Sequence, residues 1–341
     1  MLTNVEIAEL LARRGDETDG PRQRAYRRSS AAAFVWPEEA ADVHSSGRSL
    51  TELHYVGDRL AARIAGWIEN PPDLPEAPPA RRGFISRAEA DRVLASVPGW
   101  RTGVKGDLQM HTTYSDGTAT VAEMAEAASA LGREYIAITD HSSGQRIPRG
   151  MDDSEMAAQA REIDMFNASR DTPRVLRSIE MNLYPDGSGA LEDAQLEGME
   201  LVVGSFHSQL RAPEDQTARF IAALRNPSVD ILGHPRGRRY EMRPGLDADW
   251  AAVFDVAVEM DVALEINSNP ARQDLHVELL ELARDKNVRL SIGTDSHSTR
   301  ELEWFVFAVA SALKAGIDRN RILNFQPVES VLEWRGSRPR H

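Results

Sequence analysis

The spacing of hydrophobic positions changes once along the chain, near residue 100. Before that point apolar residues recur three and four apart, as in "NVEIAELLARR", "YRRSSAAAFVW" and "SLTELHYVGDRLAARIAGWI", the pattern of helices with one buried face. Ser49 followed by Glu52 has the capping-box spacing and predicts a helix start. "HYVGD" then reads as a turn between two short helices, with Gly57 supplying the unusual backbone angles. Residues 70–82, "NPPDLPEAPPARR", hold five prolines and almost nothing apolar, which predicts an extended linker. Beyond it, short apolar runs alternate with amphipathic stretches. "VKGDLQMH", "EYIAITDH", "PRVLRSIEMN", "MELVVGSFH", "VDILGHP", "VALEINS" and "VRLSIGTDSH" read as seven strands. "TVAEMAEAASALG", "DSEMAAQAREIDMFNAS", "EDQTARFIAALRN", "DADWAAVFDVAVEM" and "QDLHVELLELARDKN" read as helices between them. This alternation predicts an α/β fold with parallel pairing, either a (β/α) barrel or an open doubly wound sheet. The expected organisation is a small helical domain over 1–69, a Pro-rich linker with a short helix over 70–99, and an α/β domain over 100–335.

Composition narrows the chemistry. The 341-residue chain has no cysteine, so disulfides and thiolate metal sites are excluded, and any metal must be held by His, Asp, Glu and water. The net charge of −13 argues against a general nucleic-acid coat protein, because phosphate binding needs Lys and Arg. It is compatible with one local basic patch, and a carboxylate-rich cation site would itself raise the acid count. No run of about 18 apolar residues occurs, and "MLTNVEIAELLARRGDE" lacks a signal-peptide core, so no membrane span and a cytoplasmic location are expected. No "GxGxxG" or "GxxxxGK" follows the first strand, which weakens any nucleotide-cofactor reading.

The chemistry lies at the strand ends. In "DLQMHTTYSDG", residues 107, 109 and 111 point to one face of a strand, placing Asp107, Gln109 and His111 together. Asp116 follows. The second strand ends in Asp140 and His141, the third in Glu180, the fourth in His207, the fifth in His234, and the seventh in Asp295 and His297. Five of the nine histidines sit at such ends. In a parallel barrel these ends share one mouth, where loops build active sites. One histidine at a strand end is ordinarily a hydrogen-bonded structural residue. Five of them with three carboxylates would be costly to desolvate without cations, so a multi-metal site is the economical account. His and carboxylate donors suit zinc or manganese, with iron as a further candidate. Arg236, Arg238 and Arg239 follow His234 and are candidates for holding phosphate. Pairing of some of them with Glu241 or Asp247 is the alternative.

"DLQMHTTYSDG", "ITDHS", "IEMNLYPDG", "VGSFHS", "GHPRGR", "LEINSNP" and "GTDSHS" resemble, in order, the motifs of the polymerase-and-histidinol-phosphatase (PHP) domain over about residues 100–335. The likeness is nearest to the PHP domain of bacterial family X DNA polymerases. "AYRRSSAAAF" and "LTELHYVGDRLAARI" resemble more loosely the helix-hairpin-helix domain of those enzymes. A nucleotidyltransferase domain between the two is not seen, so DNA synthesis is not expected. The resemblance implies a distorted (β/α)7 barrel holding two or three divalent metals. His111, Glu180 and Asp295 would serve the first metal. Glu180 would bridge to the second, with His207 and His297 completing it. Asp116, His141 and His234 would hold the third. The family pattern opens with a His-x-His pair, and Gln109 stands at its first position, a weaker donor than imidazole.

Such a site hydrolyses phosphate esters by metal-activated water, with no Ser, Cys or Lys nucleophile. The resemblance implies a 3′–5′ exonuclease or 3′-phosphatase acting on DNA ends, with DNA contacted through residues 1–69. Turn amides at a helix N-terminus are a known way to bind its backbone. The alternatives are a small-molecule phosphatase of the histidinol-phosphatase kind, or a non-catalytic metal- or DNA-binding module whose first metal site has decayed at Gln109.

Overall fold

The computed structural model describes residues 1–143 and 149–338, which form two units. One comprises Met1–Ser96 with Arg239–Pro244, the other Val97–Arg238 with Gly245–His341.

The smaller unit is helical. Asn4–Asp16 starts at a capping box in which Thr3 and Glu6 satisfy each other's backbone donors, and Gly20–Ala33 runs beside it. Ile7, Leu11, Phe34, Trp36, Val43, Ile64 and Phe84 form its core. Tyr240 packs edge-on against Phe34 and Phe84, and its hydroxyl lies 2.8 Å from Ser30 Oγ. The Pro-rich segment is extended but tied down within this unit: Arg13 donates to the carbonyls of Pro75 and Glu76, and Arg81 pairs with Glu9 and Asp16. Two details of the expected hairpin differ. Its first arm is only a 3₁₀ turn, Leu50–Glu52, where Ser49 caps Thr51 while Glu52 pairs with Arg48. Gly57 has φ −93° and simply precedes the helix Asp58–Glu69; the left-handed residue is Tyr55, at φ 63°.

The larger unit is a barrel of seven strands: β1 (Gly106–Met110), β2 (Tyr135–Ile138), β3 (Arg174–Leu183), β4 (Leu201–Phe206), β5 (Ile231–Leu232), β6 (Ala263–Asn267) and β7 (Leu290–Gly293). They pair in chain order and all in parallel, as short strands linked by helical crossovers do. Apart from Arg174 and Arg177 on β3, every strand residue is buried, which explains the continuous rather than alternating apolar runs. β3 runs past Glu180 to Leu183, so Glu180 lies inside its strand instead of ending it. β5 is cut to two residues, which distorts the barrel.

Closure joins β1 to the end of β7. Asp295 N donates to Gln109 O at 3.0 Å and His111 N to Ser296 O at 2.8 Å. Asp107 accepts from Thr294 N (3.1 Å) and Thr294 Oγ1 (2.6 Å), so this carboxylate fastens the seam. Burial raises its pKa to about 6 despite those bonds. At the other end of the seam the fully buried Asn324 accepts from Ile292 N and donates to the carbonyls of Gly106 and Ile292. Among the described residues no helix is long and apolar enough to cross a membrane.

Asn324→Leu keeps the volume but leaves three buried backbone groups without partners. It is expected to lower stability by roughly 2 kcal/mol or more, read as a reduced urea midpoint with unchanged slope. A midpoint equal to the parent's would show that the seam does not depend on this side chain.

Candidate metal centre

The C-terminal ends of the strands bring His111, Asp116, His141, Glu180, His207, His234, Asp295 and His297 into one mouth. Short polar turns aim them. Thr112 N and Oγ1 donate to Asp140 at 2.7 and 2.6 Å, Ser115 Oγ also bonds it, and Gln159 Nε2 donates at 2.6 Å. Asp140, a buried carboxylate spent on the turn that carries His111 and Asp116, is therefore structural.

Two overlapping groups result. Asp116 faces His297 Nε2 at 3.2 Å, His141 Nε2 at 3.6 Å and His111 Nδ1 at 3.8 Å. Glu180 Oε1 faces His234 Nε2 at 3.0 Å and His207 Nε2 at 3.3 Å, while its Oε2 faces His141 Nδ1 at 3.0 Å and His111 Nε2 at 3.5 Å. Asp295 Oδ1 lies 3.3 Å from His111 Nε2. This exchanges two residues of the grouping that the family resemblance implied: His297 stands with Asp116, and His234 with Glu180. Strand order puts both histidines at the mouth, but the turn after each strand decides which carboxylate its ring meets.

These separations decide between hydrogen bonds and shared cations. Two donors each about 2.1 Å from a tetrahedral ion sit roughly 3.4 Å apart, whereas a charged hydrogen bond is roughly 2.8 Å. Most of the contacts fall near the first figure. Both ring nitrogens of His111, Nδ1 of His141 and of His234, and Glu180 Oε2 are buried without a hydrogen-bond partner among the described residues. Buried polar atoms are rarely left so. Divalent cations fit this donor set.

The outer contacts select tautomers. His207 Nδ1 lies 2.6 Å from Asn182 Oδ1 and His297 Nδ1 lies 2.9 Å from the Asp295 carbonyl, so both Nδ1 atoms donate and leave Nε2 free to accept a cation. Asp295 Oδ2 is 3.0 Å from Arg272 Nε and 3.3 Å from Asn267 Nδ2. Burial would raise the Asp295 pKa, but Arg272 and His111 hold it below the usual carboxylate range. Glu265 Oε2 accepts from His234 N and Asn267 Nδ2; burial and then Asp295 hold this carboxyl well above the usual range. Sequence reasoning missed Asn182, Arg272 and Glu265. The first lies in "IEMN" and the last in "LEIN", but only folding reveals what each touches.

Gln109 is buried on the β1 face below His111, and both its amide atoms lack a partner among the described residues. Of the three arginines after β5, Arg236 donates to the Leu246 carbonyl and lies 3.4 Å from His276. Arg238 is only 2% exposed, and Arg239 falls in the helical unit.

A family model described as PHP domain matches residues 107–292. The DNA polymerase/3′-5′ exonuclease PolX of Bacillus subtilis (strain 168) is 38% identical over 67% of this chain; the chain spans 40% of that protein's length. The "Probable phosphatase YcdX" of Escherichia coli (strain K12) is 27% identical over 68% of this chain and 96% of its own length. A histidinol phosphate phosphatase from Lactococcus lactis, complexed with zinc, L-histidinol and phosphate, superposes with a TM-score of 0.49 at 16% identity, covering 63% of this chain and 95% of that one.

Two predictions follow from the site's electrostatics. Burial alone would lower His141 and His297, but Glu180 and Asp116 outweigh it and raise them to about 11 and about 9. At pH 8 the metal-free protein therefore holds both rings protonated, and cations need them neutral. Metal uptake at pH 8 should release about two protons, and affinity should rise with pH up to about 11, more steeply below about 9 than above it. Calorimetry in buffers of different ionisation enthalpy gives the count, and a count of zero would contradict the arrangement. Asn182→Ala frees the His207 ring and should weaken metal affinity about 10- to 100-fold with little change in fold. Titration with a metallochromic competitor measures it.

Proposed function

The chain belongs to the PHP domain family and is a metal-dependent hydrolase of phosphate esters; we propose that its substrate is a DNA end, cut as a 3′–5′ exonuclease or 3′-phosphatase. The observation that carries this reading is the mouth itself, in which Glu180 offers one oxygen to His207 and His234 and the other to His111 and His141. The 38% identity to a protein named as an exonuclease favours DNA as the substrate. Contact with DNA through residues 1–69 belongs to the same proposal.

His111, Glu180 and Asp295 would hold one cation, Glu180, His207 and His234 a second, and Asp116, His141 and His297 a third, with zinc or manganese suited to these donors. Bound cations supply Lewis acidity, lowering the pKa of water and neutralising charge on phosphoryl oxygen. The chain's own part is orientation. Asp140 fixes the turn that carries His111 and Asp116, Asn182 sets the His207 tautomer, and the backbone of Asp295 sets that of His297. Gln109 offers an amide oxygen where the family has an imidazole, so the first cation is expected to be held more weakly than the others.

A second reading, a small phosphomonoester, is favoured by the match along 96% of the E. coli phosphatase and by the net charge of −13, which repels a polyanion. A decayed binding module is the third, motivated by Gln109.

A 5′-labelled single-stranded oligonucleotide with Mn²⁺ should be shortened stepwise by the parent chain, and His234→Ala should be slower by roughly 100-fold or more. An intact oligonucleotide beside rapid cleavage of a small phosphomonoester would move the assignment to the second reading. Activity that emerges only in Gln109→His would move it to the third.

A further inference from the structure

We propose that Arg272 is the residue that receives the substrate's phosphate, in place of the three arginines that follow β5; this rests on the phosphoesterase reading of the site. Arg272 lies in the turn after β6, and that turn is tied at every step. Asn267 N donates to Asp274 O and Asp274 N to Asn267 O; Ser268 N donates to Gly293 O at 2.8 Å. Asn269 N donates to Asn267 Oδ1, Ala271 N to Asn269 Oδ1, and Arg272 N to Asn269 O at 2.8 Å. The backbone beneath Arg272 is thus fixed before any ligand arrives, so ordering this residue costs little on binding.

The side chain is anchored at one end only. Nε lies 3.0 Å from Asp295 Oδ2, and the other oxygen of that carboxylate is 3.3 Å from His111. Nη1 and Nη2 make no hydrogen bond among the described residues, and the side chain is 17% exposed. A guanidinium held through Nε presents its two terminal amino groups as a fork that matches two oxygens of a phosphate. Here the fork stands one carboxylate away from His111 in the mouth.

The alternatives are occupied. Arg236 is turned to the Leu246 carbonyl and His276. Arg238 is buried beside Asp274, and Arg239 is in the helical unit. Charge points the same way. Asp116, Glu180 and Asp295 would together repel a phosphate, and Arg272 supplies a fixed positive group at the edge of that set.

The test uses the full chain loaded with Mn²⁺ and inorganic phosphate as the probe. Metal content and phosphate affinity are measured for the parent, Arg272→Gln, Arg272→Lys and Arg236→Gln, with KM and kcat on a phosphate ester alongside. Arg272→Gln should keep its metal and bind phosphate about 10- to 100-fold more weakly, the loss of charge-assisted hydrogen bonds, with KM rising in step. Arg272→Lys should recover only part of this, because an ammonium lacks the fork. Arg236→Gln should bind like the parent. Phosphate binding by Arg272→Gln within twofold of the parent, at equal metal content, overturns the proposal alone. Loss of metal by Arg272→Gln with phosphate affinity per loaded site unchanged overturns it too, since Arg272 would then only position Asp295. A parent that takes up metal but binds no phosphate overturns the phosphoesterase reading and this proposal together.

Discussion

Glu180 has no exposed surface, and the larger unit is organised around that fact. A buried carboxylate is expensive unless opposite charge or hydrogen-bond donors surround it. Imidazoles carried by the segments after β1, β2, β4 and β5 surround this one, and against the cost of burial His141 and His207 hold it well below its usual range. Four chain segments must arrive at the same point for that to happen. Only a curled parallel sheet with all its strand ends at one mouth delivers them.

The seam between β1 and β7 serves the same end. If Asp107 did not hold Thr294 and Asn324 did not bridge Gly106 and Ile292, His111 and Asp295 would be free to separate. Among the described residues these polar groups make no side-chain hydrogen bond with the site's histidines. They are buried and hydrogen-bonded across the seam, as a support for a site that tolerates little displacement has to be. Gln109 sits on the same face between Asp107 and His111. Its amide has no hydrogen-bond partner among the described residues, and neither do the ring nitrogens of His111 next to it on that face.

Much of the fold was legible because each strand is an apolar run of the right length with a helix between it and the next. The eight metal-capable residues were legible because the last residues of such runs are the ones a barrel gathers. Other features were not. Glu180 reads as a strand end, but β3 continues three residues beyond it, since its pairing with β4 runs on to Leu183 and Phe206. Gly57 reads as the position of unusual backbone angles in the hairpin, and Tyr55 takes that role because Gly57 serves as the helix cap.

By itself, then, the sequence determined the type and order of the elements, the absence of thiolate chemistry, and which side chains would share the mouth, because periodicity and strand polarity are local properties. Tertiary structure alone decided which histidine meets which carboxylate, as with His234 on Glu180 and His297 on Asp116. It alone set Asn182 behind His207 and Arg272 beside Asp295. Those partners come from different strands, and the direction of a side chain after a strand depends on the turn and the barrel's curvature, which no local pattern encodes.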